Sequence, residues 1–144
     1  MSKEEKYAKI VRSLVDIATG RYTPLKFVPM PEKVSNSDKT AIERKNAAIA
    51  QENATRAEAM QSLIRELAEL MLLYAPVDAV KAHTKFWAAA HGISQLTEAM
   101  ADNGELATQW RNGLCETIIA LRKDLDGVVL TQSDVLNTIF VAGS

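Results

Sequence analysis

Two histidines, His83 and His91, are the residues whose type first suggests metal or acid-base chemistry. They lie eight residues apart in a segment with helical periodicity, or about 12 Å along a helix axis. Metal ligands on one helix normally stand three or four residues apart, because only then do their nitrogens converge. No Cys, Asp or Glu lies at an offset that would complete a site. The spacing predicts partly exposed histidines beside Trp87, and no metal site.

Cys115 is the only cysteine, so no internal disulfide forms, and no histidine lies near it in sequence to activate the thiol. A small buried hydrophobic side chain is the favoured interpretation. The chain also has no GxGxxG, GxxxxGK[ST], HExxH, GxSxG or CxxC motif. The sequence therefore predicts no catalytic residue, no cofactor and no enzymatic activity.

Basic side chains could instead bind nucleic acid, but 17 basic residues against 18 acidic ones give a formal charge of -1. No overall field would therefore attract a polyanion. The best local candidate is the group Lys39, Arg44 and Lys45, which contains Glu43. A solvated helix face is favoured over a nucleic-acid contact, which remains the alternative function.

Small residues form a more distinctive pattern, because Ala47, Ala50, Ala54 and Ala57 follow the spacing of a coiled-coil seam. An alanine seam lets another helix approach closely, either the first helix of this chain or a helix of a second copy. Alanine is also the best helix former, so the seam has an equally simple explanation without a partner. We take these four residues as the predicted interface with a protein partner or with a second copy in a homodimer.

The periodicity of apolar residues predicts an all-α, single-domain helical bundle over residues 1–144. Five helices are expected at about 3–19, 37–75, 76–100, 104–125 and 132–142. Gly20 is a plausible left-handed cap for the first helix, and Thr131 with Asp134 can cap the last. No strand pattern competes with this reading.

The second helix is the unusual element, since about 38 residues without Gly or Pro would span roughly 57 Å. Its second half, residues 60–75, is apolar on a broad face and is expected in the core. Its first half, residues 38–58, is expected to project from the fold. The preceding segment, 21–36, contains three prolines among apolar residues. We expect it to lie flat on the bundle, where covering a core edge is favoured over binding a partner.

A family resemblance is carried by ELMLLYAPVDAVKA at residues 69–82 and ALRKDL at 120–125, followed by Leu130, Asp134 and Phe140. The chain resembles uncharacterised bacterial helical proteins that share a "LLLYAP..VVKA" helix junction and an "A.RKDLG" helix end. Here Asp126 intervenes before Gly127. The resemblance covers about the C-terminal half and implies an all-α fold of bacterial or phage origin, without an activity. Arg122 and Lys123 could form a shared partner-binding edge, or could serve the negative end of the helix dipole.

The N-terminus is charged from Lys3 to Lys6, and no run approaches about 18 apolar residues. These features predict a cytoplasmic protein with no membrane contact. The sequence as a whole predicts a non-enzymatic protein-binding accessory or regulatory factor encoded by a mobile element or phage.

Overall fold

The structure is a computed structural model that describes residues 1–91 and 104–142. The described residues form an all-α bundle with one long central helix, as predicted. The helices are α1 (Lys3–Ala18), α2 (Asn36–Tyr74), α3 (Val77–Ala90), α4 (Glu105–Asp126) and α5 (Gln132–Ala142). The predicted continuation of the third helix to residue 100 lies outside the described residues.

The helix ends follow from local chemistry. Gly20 has φ 95° after α1, where its N–H and that of Arg21 bond the carbonyls of Ile17 and Asp16. This is the Schellman arrangement, which favours glycine because φ is positive. The last helix begins with the predicted capping box: the Thr131 hydroxyl accepts from the Asp134 N–H, and the Asp134 carboxylate accepts from the Thr131 N–H.

The core lies between α1, α3, α4, α5 and the end of α2. Helices α3 and α4 form the largest interface among the described helices. Phe86 and Trp110 are fully buried there, with ring centroids 5.2 Å apart. Helix α1 adds one apolar stripe, namely Tyr7, Ile10, Leu14 and Ile17.

The second half of α2 is less buried than predicted. Only Leu67 and Met71 are buried in this helix. Leu72 and Leu73 are 74% and 70% exposed, and Val77 just beyond the helix is 67% exposed. Met60, Leu63 and Leu70 pack against the core as expected for residues 60–75. Tyr74 of the predicted apolar face is instead 44% exposed, because the other helices cover only one stripe of α2. Within residues 1–91 and 104–142, no helix is long and apolar enough to cross a membrane.

Tyr7 joins three helices at one end of this core. Its hydroxyl oxygen lies 2.6 Å from the Asp124 carboxylate on α4 and 3.0 Å from the Tyr74 carbonyl at the end of α2. Lys3 pairs with the same carboxylate at 2.6 Å. Burial and the hydrogen bond to Asp124 raise the pKa of Tyr7 above its ordinary value. The bonds from Lys3 and Tyr7 lower the pKa of Asp124, so the contact persists at neutral pH.

Candidate functional site

The histidines do not form a chemical site. His83 is buried, contrary to the prediction that it is partly exposed, whereas His91 is exposed. The Nε2 atom of His83 accepts a hydrogen bond from the Trp87 indole at 2.9 Å. Burial lowers the pKa of His83 to about 4, so its ring is neutral near pH 7. Among the residues that the structure describes, no three His, Cys, Asp or Glu side chains are grouped as metal ligands would be.

Cys115 is buried in α4, in agreement with its interpretation as a small hydrophobic side chain. Burial raises the pKa of the thiol to about 11. The thiol is therefore protonated at neutral pH and is a poor nucleophile.

The first half of α2 is the most accessible helical surface among the described residues. We call residues 36–59 the α2 arm; at about 1.5 Å per residue it is roughly 36 Å long. No residue of the arm is buried or belongs to the hydrophobic core. Four alanines of the predicted seam are exposed along it: Ala47, Ala50, Ala54 and Ala57. The arm thus extends beyond the core with this face uncovered by any described residue.

A different face of the α2 arm holds residues 21–34, which we call the extended segment. The Asn53 side chain accepts from the Leu25 N–H at 2.7 Å and donates to the Leu25 carbonyl at 3.1 Å. Asn46 makes the same pair of bonds with Val28, at 2.8 and 3.0 Å. Each asparagine amide therefore satisfies both backbone groups of one residue, which an extended chain without a neighbouring strand would leave to water.

The spacing of these contacts explains their register. Asn46 and Asn53 are seven residues apart, about 10.5 Å along a helix. Leu25 and Val28 are three residues apart, about 9 to 10 Å in an extended chain. The two spacings match, so each asparagine can face its backbone partner. The segment runs antiparallel to α2, because Leu25 pairs with Asn53 and the later Val28 pairs with the earlier Asn46.

Arg56 completes the contact, because its guanidinium donates to the Thr23 carbonyl at 2.6 Å while pairing with Glu52. The extended segment thus lies mainly on the α2 arm. Only Tyr22 near its start packs against the core, where the sequence favoured a segment that covers a core edge. Leu25, Phe27 and Met30 remain between 41% and 56% exposed. The contacts of Asn46, Asn53 and Arg56 were not predicted. The available signal was their seven- and three-residue spacing, which places them on the same face of α2 as Ile42 and Ile49.

Replacing both asparagines, Asn46→Ala with Asn53→Ala, is expected to release the extended segment without unfolding the core. Each hydrogen bond contributes about 0.5 to 1.5 kcal/mol net of the water contacts that would replace it. We therefore expect the amides of Leu25 and Val28 to exchange with solvent about tenfold faster, measured by hydrogen exchange. Asn137→Ala, an exposed change on α5, serves as the control. Unchanged exchange at both amides would show that the asparagines do not hold the segment.

The predicted basic residues are accessible. Lys39, Arg44 and Lys45 are exposed, and none has an ion pair with a described residue. Arg122, by contrast, is bonded to Asp126 at 2.9 and 3.0 Å, and Asp126 also accepts from the Val128 N–H. The carbonyl of Lys123 accepts from the N–H of Gly127, whose φ is 78°. These contacts belong to the end of α4, and the roles of the Arg122 and Lys123 side chains stay predictions.

Arg122 also lies on the rim of a groove of about 360 Å³ between α1 and α4. Its floor is mainly apolar and includes Val11, Ile118 and Leu125. The titratable residues that line the groove are Glu4, Tyr7 and Arg122; the Tyr7 hydroxyl is bonded to Asp124 and the Arg122 guanidinium to Asp126.

Comparison with known proteins assigns no relative: the chain matches no family model, no curated protein and no solved structure. Function is therefore inferred from the α2 arm, the extended segment and their chemistry.

Proposed function

We propose that this protein is a non-enzymatic accessory or regulatory factor that binds protein through the alanine face of the α2 arm. The observation that carries the proposal is the exposure of Ala47, Ala50, Ala54 and Ala57 on a helix that extends about 36 Å with no core around it. Most helical stability in proteins comes from packing one face against other elements, and the arm has no core to pack against. The extended segment stabilises one side of the arm, and a partner helix would stabilise the other.

Close approach is the physical basis of such binding. A methyl group at each seam position lets a second helix pack at the short end of the usual 8 to 10 Å range between axes. Each alanine buries little area, so the affinity comes from the many contacts between closely spaced backbones. Exposed Leu72, Leu73 and Val77 form a further apolar surface, a feature that marks protein contacts.

The alanine face is tested by Ala50→Glu with Ala57→Glu. Two carboxylates in the seam would separate the packed helices and be desolvated, so binding should fall at least tenfold. Light scattering measures self-association, affinity capture from bacterial lysate measures a foreign partner, and circular dichroism verifies that helicity is unchanged. Thr55→Glu is the matched control, because Thr55 is exposed on the same arm but outside the seam.

Two results would contradict the proposal. One is a wild-type protein that neither self-associates nor retains a partner. The other is partner binding that is unchanged both in the Ala50→Glu, Ala57→Glu variant and in Thr55→Glu, since the contact would then lie outside the alanine face.

A second candidate function is nucleic-acid binding by Lys39, Arg44 and Lys45, favoured by their exposure and lack of ion pairs among described residues. Fluorescence anisotropy with labelled duplex DNA and single-stranded RNA at 50 and 200 mM salt tests it. Binding that weakens steeply with salt, and further with Lys39→Glu, would support this function. No binding at the lower salt concentration would exclude it.

A further inference from the structure

We propose that the partner of the α2 arm is the α2 arm of a second copy, packed antiparallel about a two-fold axis beside Gln51. This inference rests on the proposed function and adds the identity and the orientation of the partner. Three independent features of the arm support it: the distribution of charge along α2, the symmetry of its exposed face, and the position of the extended segment.

Charge changes sign along α2. Residues 39–45 carry a net charge of +2, from Lys39, Arg44 and Lys45 against Glu43. Residues 57–63, which face this stretch of the second copy about Gln51, carry -1, from Glu58. Glu58 has no ion pair with any described residue. An antiparallel pair places the basic group of each arm beside Glu58 of the other, while a parallel pair places like charges together.

The exposed face is symmetric about its centre. Ala47 and Ala57 lie equally far from residue 52, as do Ala50 and Ala54. In an antiparallel pair, Ala47 therefore meets Ala57 of the second copy, and Ala50 meets Ala54. A two-fold contact requires this self-complementarity, because the same patch must serve both copies.

The pair formed by Arg44 and Glu58 distinguishes an antiparallel from a parallel arrangement of the two arms. Arg44, Gln51 and Glu58 are exposed at seven-residue intervals along the same edge of the alanine face. In this antiparallel register the residues of that edge pair about Gln51, one position before the centre of the alanine seam, so Arg44 of each copy lies opposite Glu58 of the other. The symmetry forms this ion pair twice, and neither residue has an ion pair within residues 1–91 or 104–142.

The extended segment lies beside the other edge of the alanine face, across from the edge that carries Arg44 and Glu58. Asn53 holds Leu25 near the level of the axis, so exposed Leu25 and Phe27 of one copy would approach those of the other. A length of roughly 36 Å and a width of about 20 Å for helix and segment give on the order of 700 Å² per copy. Stable complexes bury about 800 Å² per partner. The seam is also exposed at Gln61 and Ala68, which leaves room for the tip of the second arm.

Charge exchange in trans is the decisive experiment. Arg44→Glu and Glu58→Arg are each expected to weaken the dimer about tenfold in sedimentation equilibrium, because each variant opposes like charges twice in its own homodimer. An equimolar mixture of the two variants should dimerise at least as tightly as wild type, since both pairs become attractive in the heterodimer. The doubly changed chain should also recover dimerisation. Asn137→Arg, an exposed change on α5 away from the α2 arm, is the control.

Each failure points to a different error. A wild-type chain that stays monomeric at several hundred micromolar overturns the dimer, while the proposed function survives if a captured protein is lost on Ala50→Glu with Ala57→Glu. A dimer that responds to neither single change nor mixing overturns the antiparallel arrangement. A chain that is monomeric and captures nothing overturns both.

Discussion

Gly113→Ala is expected to lower the free energy of unfolding by about 2 to 3 kcal/mol. A Cβ atom at position 113 would lie 2.7 to 2.9 Å from backbone and Cβ atoms of Phe86 on α3. Because those atoms belong to a helix backbone, α3 and α4 must separate or tilt to make room. Separation would loosen the packing of Phe86 against Trp110, whose rings are 5.2 Å apart. The roughly 1 kcal/mol that alanine gains over glycine in a helix offsets only part of this cost.

Thermal unfolding followed by circular dichroism measures the effect, with an expected fall in Tm of roughly 5 to 10 °C. Gly127→Ala is the control, because it destabilises through backbone conformation and not through a clash. Gly127 has φ 78° and nothing lies within 4 Å of the added Cβ, so the left-handed backbone alone should lower the free energy of unfolding by about 1 kcal/mol. Gly113→Ala should therefore be the more damaging of the two. Equal stabilities for Gly113→Ala and wild type would show that α3 and α4 do not pack this closely.

Local signals were sufficient to predict most of the helix boundaries. Gly20, Gly127 and the Thr131–Asp134 box act through backbone conformation and hydrogen bonds within a few residues, so their effect can be read from the chain directly. The role of Gly113 could not be read in this way. A glycine within a helical pattern signals only lower propensity, and its need arises from Phe86, a residue of another helix.

Two residues of the α2 arm also have roles that could not be predicted from local sequence. Asn46 and Asn53 interrupt an apolar stripe, and in sequence they look like weak points of the helix. Their role is visible only when Leu25 and Val28 are placed beside them. Burial also depends on which face the other helices cover, so Leu72 and Leu73 could be placed on a helix but not in or out of the core. The resemblance at residues 69–82 and 120–125 stays a prediction.

Acid is expected to destabilise the protein through His83, by about 2 to 3 kcal/mol between pH 7.5 and pH 4.5. Burial lowers the pKa of His83 in the folded protein to about 4, whereas an unfolded chain returns it to about 6.5. Below pH 6.5 the unfolded state therefore binds a proton that the folded state excludes. The free energy of unfolding therefore decreases as the pH is lowered from about 6.5 to about 4, and it levels off below the pKa of the folded state.

The neighbours of His83 make the low pKa physically reasonable. The ring lies against Phe86, with centroids 6.3 Å apart, and its Nε2 accepts the Trp87 indole proton at 2.9 Å. Protonation would place a hydrogen on Nε2, remove this acceptor and leave a cation in an aromatic environment. Its Nδ1 has no hydrogen-bond partner among the described residues, so no carboxylate there offsets the charge.

Urea unfolding of wild type and His83→Gln at pH 7.5, 6.5, 5.5 and 4.5 tests this assignment. Glutamine keeps a hydrogen-bond acceptor for Trp87 but does not titrate, so the stability of the variant should be nearly independent of pH down to 4.5. The variant should be less stable than wild type at neutral pH, because the buried ring is lost. The carboxylates of Asp124 and Asp134, whose pKa values are lowered, act only as the pH approaches and passes below 4. A variant with the same slope as wild type would show that another group controls acid stability. A flat variant would assign the slope to His83, the buried histidine between Phe86 and Trp87.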